Sequence, residues 1–147
     1  MTETRGLSST DPFSAEDWTA VANQRAADAA AMLPQRADSV GPVYMAGYAV
    51  ECALKAYLQR RGIPRPRSGP AGHDLRGLWR ASGFRLADLN DEHGLKSFYI
   101  EAWSTDLRYA IRLDPATSVE PADLVEGARL LSSWIQNQVR RQRRRRR

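Results

Sequence analysis

Residues 43–61 read Val-Tyr-Met-Ala-Gly-Tyr-Ala-Val-Glu-Cys-Ala-Leu-Lys-Ala-Tyr-Leu-Gln-Arg-Arg, and this stretch decides the fold. Its apolar residues recur every three or four positions, the period of an α-helix that buries one face. The residues on that face are Val43, Gly47, Val50, Leu54, Tyr57 and Leu58. Gly62 and Pro64 supply a stop signal. We therefore expect a core built around this helix.

Helical patterns also occur on both sides of this segment. Ser14 and Asp17 have the spacing of a capping box, and Pro34 ends the helix that they begin. Asp74 can cap a shorter helix, and no strand-like alternation of any length occurs in the sequence. These patterns predict an all-α fold, an antiparallel bundle of four or five helices. The predicted helices cover residues 14–33, 43–61, 74–82, 95–111 and 121–139.

Length and composition exclude several classes of protein. The 147 residues suit one domain, and 42% hydrophobic with 27% charged residues is typical of a globular protein. The sequence has no apolar run of ~18 to 20 residues and no signal-peptide pattern, so we expect a cytoplasmic protein with no membrane contact. Cys52 is the only cysteine, and neither histidine has a second ligand at metal spacing. We therefore expect no metal and no cofactor.

The positive charge is concentrated at one end of the chain. The net charge is +5, and seven arginines stand within residues 140–147, which leaves the remaining residues at −2. The domain is thus expected to span residues 14–139, between a disordered segment 1–13 and a flexible arginine-rich tail. The tail either binds a polyanion or reflects a coding bias that favours arginine over lysine. Its arginines are Arg140, Arg141, Arg143, Arg144, Arg145, Arg146 and Arg147.

Two opposite charges stand one helical turn apart in the central segment. Glu51 precedes Lys55 by four residues, which predicts a surface ion pair worth a few tenths of a kcal/mol. Glu51 also lies at the edge of the apolar face. A carboxylate in that position needs a second polar partner.

Three short segments carry a family resemblance. Residues 44–62 contain an Ala, Glu and Leu-Lys-Ala pattern, and Gly-His-Asp-Leu follows at residues 72–75. Trp-Ser-Thr-Asp-Leu-Arg-Tyr stands at residues 103–109. In this order and spacing, the segments resemble the HEPN domain family across residues 15–139. The resemblance implies a small helical bundle, often a homodimer, in toxin–antitoxin and phage-defence systems.

The resemblance also implies a set of ligands and partners. Some members of the family bind nucleotides or a partner nucleotidyltransferase chain, whereas many others cleave RNA without a metal. For this chain it implies a binding or assembly module for a nucleotide, RNA, a nucleotidyltransferase or an antitoxin chain. The implied ligand-binding residues are Glu51, Lys55, His73, Asp74, Arg108 and Tyr109.

The residues needed for RNA cleavage do not follow the family pattern. The nuclease members carry an arginine followed after four to six residues by a histidine. Counted from Arg108, the histidine position falls at Leu113, Asp114 or Pro115. Arg67 and His73 have the required spacing, but they stand in a Pro- and Gly-rich loop where chance explains them. This favours a non-catalytic module. The alternatives are a metal-independent endoribonuclease toxin, with Arg108 and His73 as its catalytic residues, and a polyanion binder acting through the tail.

Two side chains, His73 and Arg108, have two interpretations each. His73 is either a loop residue bonded near the start of a helix or part of an active site, and His93 is expected in solvent. Arg108 either bridges to Glu51 or Asp106 or binds a phosphate. A nuclease would bring His73 and an arginine to one cleft. Residues expected in the core are Trp79, Phe98, Tyr99, Trp103 and Trp134.

Overall fold

The computed structural model describes residues 12–64, 72–114 and 119–146. Arg67, Arg147 and most of the N-terminal segment expected to be disordered lie outside the described residues. The described ranges contain helices, turns and loops but no strand, which confirms the all-α prediction. The α-helices are α1 (Ala15–Met32), α2 (Gly41–Arg60), α3 (Leu75–Ala81), α4 (Ser97–Glu101) and α5 (Pro121–Arg146). Two 3₁₀-helices span Leu86–Asp88 and Thr105–Tyr109.

The helix α2 is the centre of the fold. It packs against α1 and α5, which also contact each other, and α3 packs against both α2 and α4. Most residues of α2 are buried, including every residue from Ala49 to Leu58. The apolar face predicted from the sequence is buried, but so is much of the rest of the helix. Neighbouring elements therefore cover α2 on more sides than a single apolar stripe indicates.

The start of α1 follows the sequence pattern closely. The backbone N–H of Asp17 donates to Ser14 Oγ at 3.1 Å, and the N–H of Ser14 donates to Asp17 Oδ2 at 3.1 Å. This reciprocal pair is the predicted capping box. Ala22 and Ala29 are fully buried, and such small side chains let α1 lie close to α2.

The predicted helix over residues 95–111 is wrong. Its α-helical part is only Ser97–Glu101, and Ser104 is extended, with φ −153° and ψ 167°. The Ser104 hydroxyl accepts a hydrogen bond from the backbone N–H of Asp106 at 3.2 Å and thereby caps the following 3₁₀-helix. Serine favours such local bonds over a helix interior, so the chain turns despite its helical period. Ile111, which fits the predicted apolar face, is 93% exposed.

The turn after α4 brings Trp103 against α2. Its indole Nε1 donates to the carbonyl oxygen of Tyr44 at 3.3 Å, and the ring lies over Gly47. A Cβ atom at Gly47 would lie 1.9 Å from Trp103 Cε2, far inside van der Waals contact. Glycine at this position is therefore required by the indole ring.

The helix α5 continues beyond Val139, where its apolar pattern ends and where the sequence allows either fraying or projection as a charged helix. Its buried side chains end with Ile135 among the described residues, yet the helix continues to Arg146. Arginine and glutamine are good helix formers, so the backbone can stay helical where a flexible tail was expected. At its other end, the hydroxyl of Tyr99 donates to the carbonyl oxygen of Leu124 at 2.6 Å and ties α4 to α5. Within the described ranges, no helix combines the length and apolar character needed to cross a membrane.

The contact between Gly47 and Trp103 generates a stability prediction. Alanine normally stabilises a helix interior by ~0.5 to 1 kcal/mol over glycine. Here Gly47→Ala should instead lower the free energy of unfolding by about 1 to 3 kcal/mol, because the added methyl overlaps the indole ring. Urea denaturation measures the change. In a Trp103→Leu background the same substitution should be neutral or stabilising, and an equal loss in both backgrounds would contradict the assignment.

Candidate functional site

A groove opens between the start of α3 and the segment that includes α4 and the second 3₁₀-helix. Its volume is about 870 Å³, and it is open to solvent along one side. This size lies in the range of small-molecule sites. Its polar lining residues include His73, Asp74, Arg76, Glu101, Asp106 and Arg108.

The ion pair of α2 lies inside the protein, so the prediction of a surface pair is wrong. Glu51 is 3% exposed and Lys55 is 1% exposed, and the ammonium Nζ lies 2.9 Å from Glu51 Oε2. The ring of Trp18, from α1, stands 5.0 Å from the same ammonium and offers a cation–π contact. Neighbouring helices cover both charges, which the sequence of α2 alone does not reveal.

The second partner expected for Glu51 is His73. Its Nδ1 lies 2.8 Å from Glu51 Oε1, so the carboxylate binds Lys55 with one oxygen and His73 with the other. A carboxylate paired with an ammonium accepts hydrogen bonds, so we assign the hydrogen to His73 Nδ1. The other ring nitrogen, Nε2, has no hydrogen bond from the described residues. It is the nitrogen available to a ligand in the groove.

Arg108 reaches the groove from the second 3₁₀-helix. Among the described residues it forms no ion pair with Glu51 or Asp106, so the predicted structural bridge is wrong. Its guanidinium lies 4.9 Å from the ring centre of Tyr109. Hydrogen bonds to Tyr109 and then Tyr44 raise the pKa of Arg108. The exposed guanidinium is left with aromatic neighbours and can receive an anion.

Two tyrosines of α2 lie between Arg108 and His73. The hydroxyls of Tyr44 and Tyr48 are 2.6 Å apart, and the Tyr48 ring meets the His73 ring edge-on at 5.8 Å. Burial raises the pKa of Tyr48 above its usual range, helped by Tyr44 and Glu51 and opposed by Arg108. Tyr48 is therefore a neutral phenol at physiological pH. A row of polar side chains thus connects Arg108 to Lys55, and its members in between are Tyr44, Tyr48, His73 and Glu51.

Sequence reasoning missed part of this row. Tyr44, Tyr48, Glu51 and Lys55 are spaced by four, three and four residues, which places them on one face of α2. That spacing is a readable signal for a polar face directed at one site. Arg76, whose guanidinium donates to the carbonyl oxygen of Glu101 at 3.0 Å, carries no such signal.

The remaining candidate residues have separate positions. Asp74 holds the N-cap position of α3, but its side chain makes no capping hydrogen bond, unlike the prediction. Tyr109 is 77% exposed, next to the groove-lining Arg108. His93 is exposed, as expected, and lines a different depression with Glu120 and Asp123. Cys52 is buried, which raises the pKa of its thiol to about 12 and removes it as a nucleophile.

The side chains expected in the core are confirmed there. Trp79, Tyr99 and Trp103 are buried, and Phe98 and Trp134 pack against the same core cluster. Of the tail, the side chain of Arg141 is exposed.

Comparisons of the chain with protein-family models, with curated proteins and with solved structures find no match.

The buried ion pair generates a second stability prediction. Lys55→Met should lower the free energy of unfolding by about 3 to 5 kcal/mol, because Glu51 stays buried without its cation. The matched control is Lys96→Met, at the other lysine, whose ammonium makes an exposed bond to the Asn90 carbonyl oxygen. The control should cost less than about 1 kcal/mol. Equal losses in thermal or urea unfolding would show that Lys55 does not balance a buried charge.

Proposed function

We propose that this domain is an HEPN-like binding module whose groove takes a nucleotide. The observation that carries the proposal is that His73 and Arg108, far apart in the chain, line the same groove. Both stand in the segments on which the family resemblance rests. A cation and a hydrogen-bonding ring nitrogen in one groove suit a ligand that has a phosphate next to a sugar.

Arg108 is the group best suited to the phosphate. Its guanidinium is exposed, lacks a carboxylate partner among the described residues, and can form two parallel hydrogen bonds to phosphate oxygens. Arg76 lines the same groove and has donors beyond the one given to Glu101. His73 Nε2 can accept a hydrogen bond from a hydroxyl or an amino group of the ligand.

The mixed charge of the groove favours a single nucleotide over a long polyanion. Asp74, Glu101 and Asp106 offset the two arginines and would repel a run of phosphates. Carboxylates instead accept hydrogen bonds from ribose hydroxyls or the amino groups of bases. The exposed ring of Tyr109 offers a surface on which a base can stack.

The biological setting follows from the resemblance alone. A homodimer, a role in a toxin–antitoxin or defence pair, and a nucleotidyltransferase or antitoxin partner are family properties that we carry over as part of the proposal. The exposed side chains of Tyr109 and Ile111 are available to such a partner if the nucleotide does not cover them.

Titration calorimetry with AMP, ATP, adenosine and inorganic phosphate tests the groove. We expect AMP to bind saturably. ATP should bind no more tightly than AMP, because the carboxylates of the groove repel its additional phosphates, and adenosine should bind more weakly because it lacks the phosphate. Arg108→Ala should weaken AMP binding about 10- to 100-fold, the effect of losing hydrogen bonds to a charged group. Arg36→Ala is the matched control, since Arg36 is exposed in the turn after α1 and does not line the groove.

The control variant should bind AMP like the wild type. Equal weakening by both substitutions would mean that net charge, and not the groove, attracts the nucleotide. Failure of both AMP and ATP to bind the wild type would reject the proposed function.

One observation favours RNA cleavage as a second candidate function. Glu51 holds the hydrogen on His73 Nδ1, so Nε2 can take a proton from a ribose hydroxyl while Arg108 holds the phosphate. Cleavage also needs an acid to protonate the leaving oxygen. Within the described part of the groove His73 is the only histidine, so no second histidine stands beside it to act as that acid.

We therefore expect no RNA cleavage above background by the wild type in EDTA. Gel analysis of a labelled RNA incubated with the wild type, His73→Ala, Arg108→Ala and the matched control His93→Ala measures this. Cleavage that survives in His93→Ala and disappears in the other two variants would replace the binding proposal with a nuclease.

A further inference from the structure

The end of α5 is a second charged feature, separate from the groove. We name residues 140–146 the arginine segment; it contains six arginines and Gln142. The last described buried side chain of α5 is Ile135, and Arg141 is exposed. At 1.5 Å per residue, the helix extends ~16 Å beyond Ile135. The arginine segment therefore lies at the end of a helix that has left the core.

The charge of this segment has no counterpart nearby in the chain. After Glu126 the sequence contains no aspartate or glutamate, and the chain without residues 140–147 has a net charge of −2. Arginines four apart, such as Arg140 with Arg144 and Arg141 with Arg145, repel each other on a helix. A polyanion would neutralise these charges and stabilise the helical form.

The distribution of the arginines distinguishes between polyanions. At ~100° per residue, the sequence positions of the six arginines fall on all sides of the helix backbone, with no gap wider than ~100°. A helix in the major groove of duplex DNA has phosphates on both sides, and that groove, about 12 Å wide, admits an α-helix. A membrane surface meets one face only and takes up helices with an apolar face. Residues 140–147 contain no apolar residue.

We infer that the arginine segment of α5 is a binding site for the phosphate backbone of duplex DNA, independent of the groove and without sequence preference. It would act as a helix seated between the two backbones. Arginine binds phosphate through two parallel hydrogen bonds, which gives each contact a defined geometry. Contacts to phosphates carry no sequence information, so a segment bound through the backbone alone has the same affinity for duplexes of different sequence.

Fluorescence anisotropy with a labelled duplex of about 20 base pairs, over about 50 to 200 mM salt, tests the site. With six phosphate contacts, log affinity should fall against log salt with a slope of about −5. A variant with the six arginines changed to glutamine keeps good helix formers and removes the charge. It should bind at least ~100-fold more weakly at the lowest salt and show a slope near zero. Equal binding by this variant would overturn the inference.

A second pair of variants tests whether the helical form of the arginine segment contributes to duplex binding. Arg141→Pro and Arg141→Gln each remove one charge, but only proline breaks the helix. We expect Arg141→Pro to weaken duplex binding more than Arg141→Gln, with thermal unfolding of both variants like the wild type. Identical binding by the two variants would show that charge alone suffices and would overturn the seated helix.

Two further binding measurements distinguish this site from a membrane-binding segment and from DNA binding in the groove. Phosphatidylserine vesicles should bind the full chain more weakly than the duplex at the same salt, and the opposite order would assign the segment to membranes. Arg108→Ala should leave duplex binding unchanged. A loss there would place DNA in the groove and overturn an independent site, whereas failure of AMP binding would leave this inference intact.

Discussion

Two opposite charges lie inside this protein, one turn apart on its central helix. Transfer of Glu51 and Lys55 from water into the core costs several kcal/mol per ion, and their contact at 2.9 Å offsets that cost only if further partners are present. The helix α1 supplies the ring of Trp18 to the ammonium, and the start of α3 supplies His73 to the carboxylate. The position of α3 is therefore coupled to the charge on α2. Because His73 lies both against Glu51 and in the wall of the groove, the interaction that satisfies the core also positions the candidate site.

The sequence predicts the elements whose local signals agree with their packing. The capping box at Ser14 predicts α1, and the apolar face around Leu54 predicts α2. All four ends of these helices lie within two residues of the predicted positions. The segment after Leu95 fails because two signals conflict there. Its apolar spacing favours a helix, while Ser104 and Asp106 favour a turn that the helical period does not reveal. The tertiary contact of Trp103 with Gly47 exists in the turned form, and a glycine on another helix is what makes room for it.

The sequence indicates several residues of the candidate site, but it does not indicate which of them contact each other. A carboxylate at the edge of an apolar face indicates that Glu51 needs a second partner, but several residues could serve, and only the fold selects His73. The burial of Lys55 is hidden for a similar reason, since the covering ring of Trp18 belongs to another helix. The assignment of Arg108 to a bridge failed because opposite charges in a sequence need not be adjacent in space. Its actual neighbours are Tyr109, next to it in the chain, and Tyr44 of α2, and only the fold brings Tyr44 to Arg108.

The groove and the arginine segment differ in their distribution of charge, and the two proposed sites would therefore select different ligands. Three carboxylates in the groove stand against its two arginines, so the proposed nucleotide would gain there mainly from directional hydrogen bonds and from stacking. The arginine segment has the opposite properties, because its charge is uncompensated within the chain after Glu126 and its side chains offer few distinct chemical groups. By the inference above, the attraction of a polyanion to this segment would be strong at low salt and independent of base sequence. A single ligand could use both features only if it joined one well-defined nucleotide to a longer polyanion, since the carboxylates of the groove would repel additional phosphates.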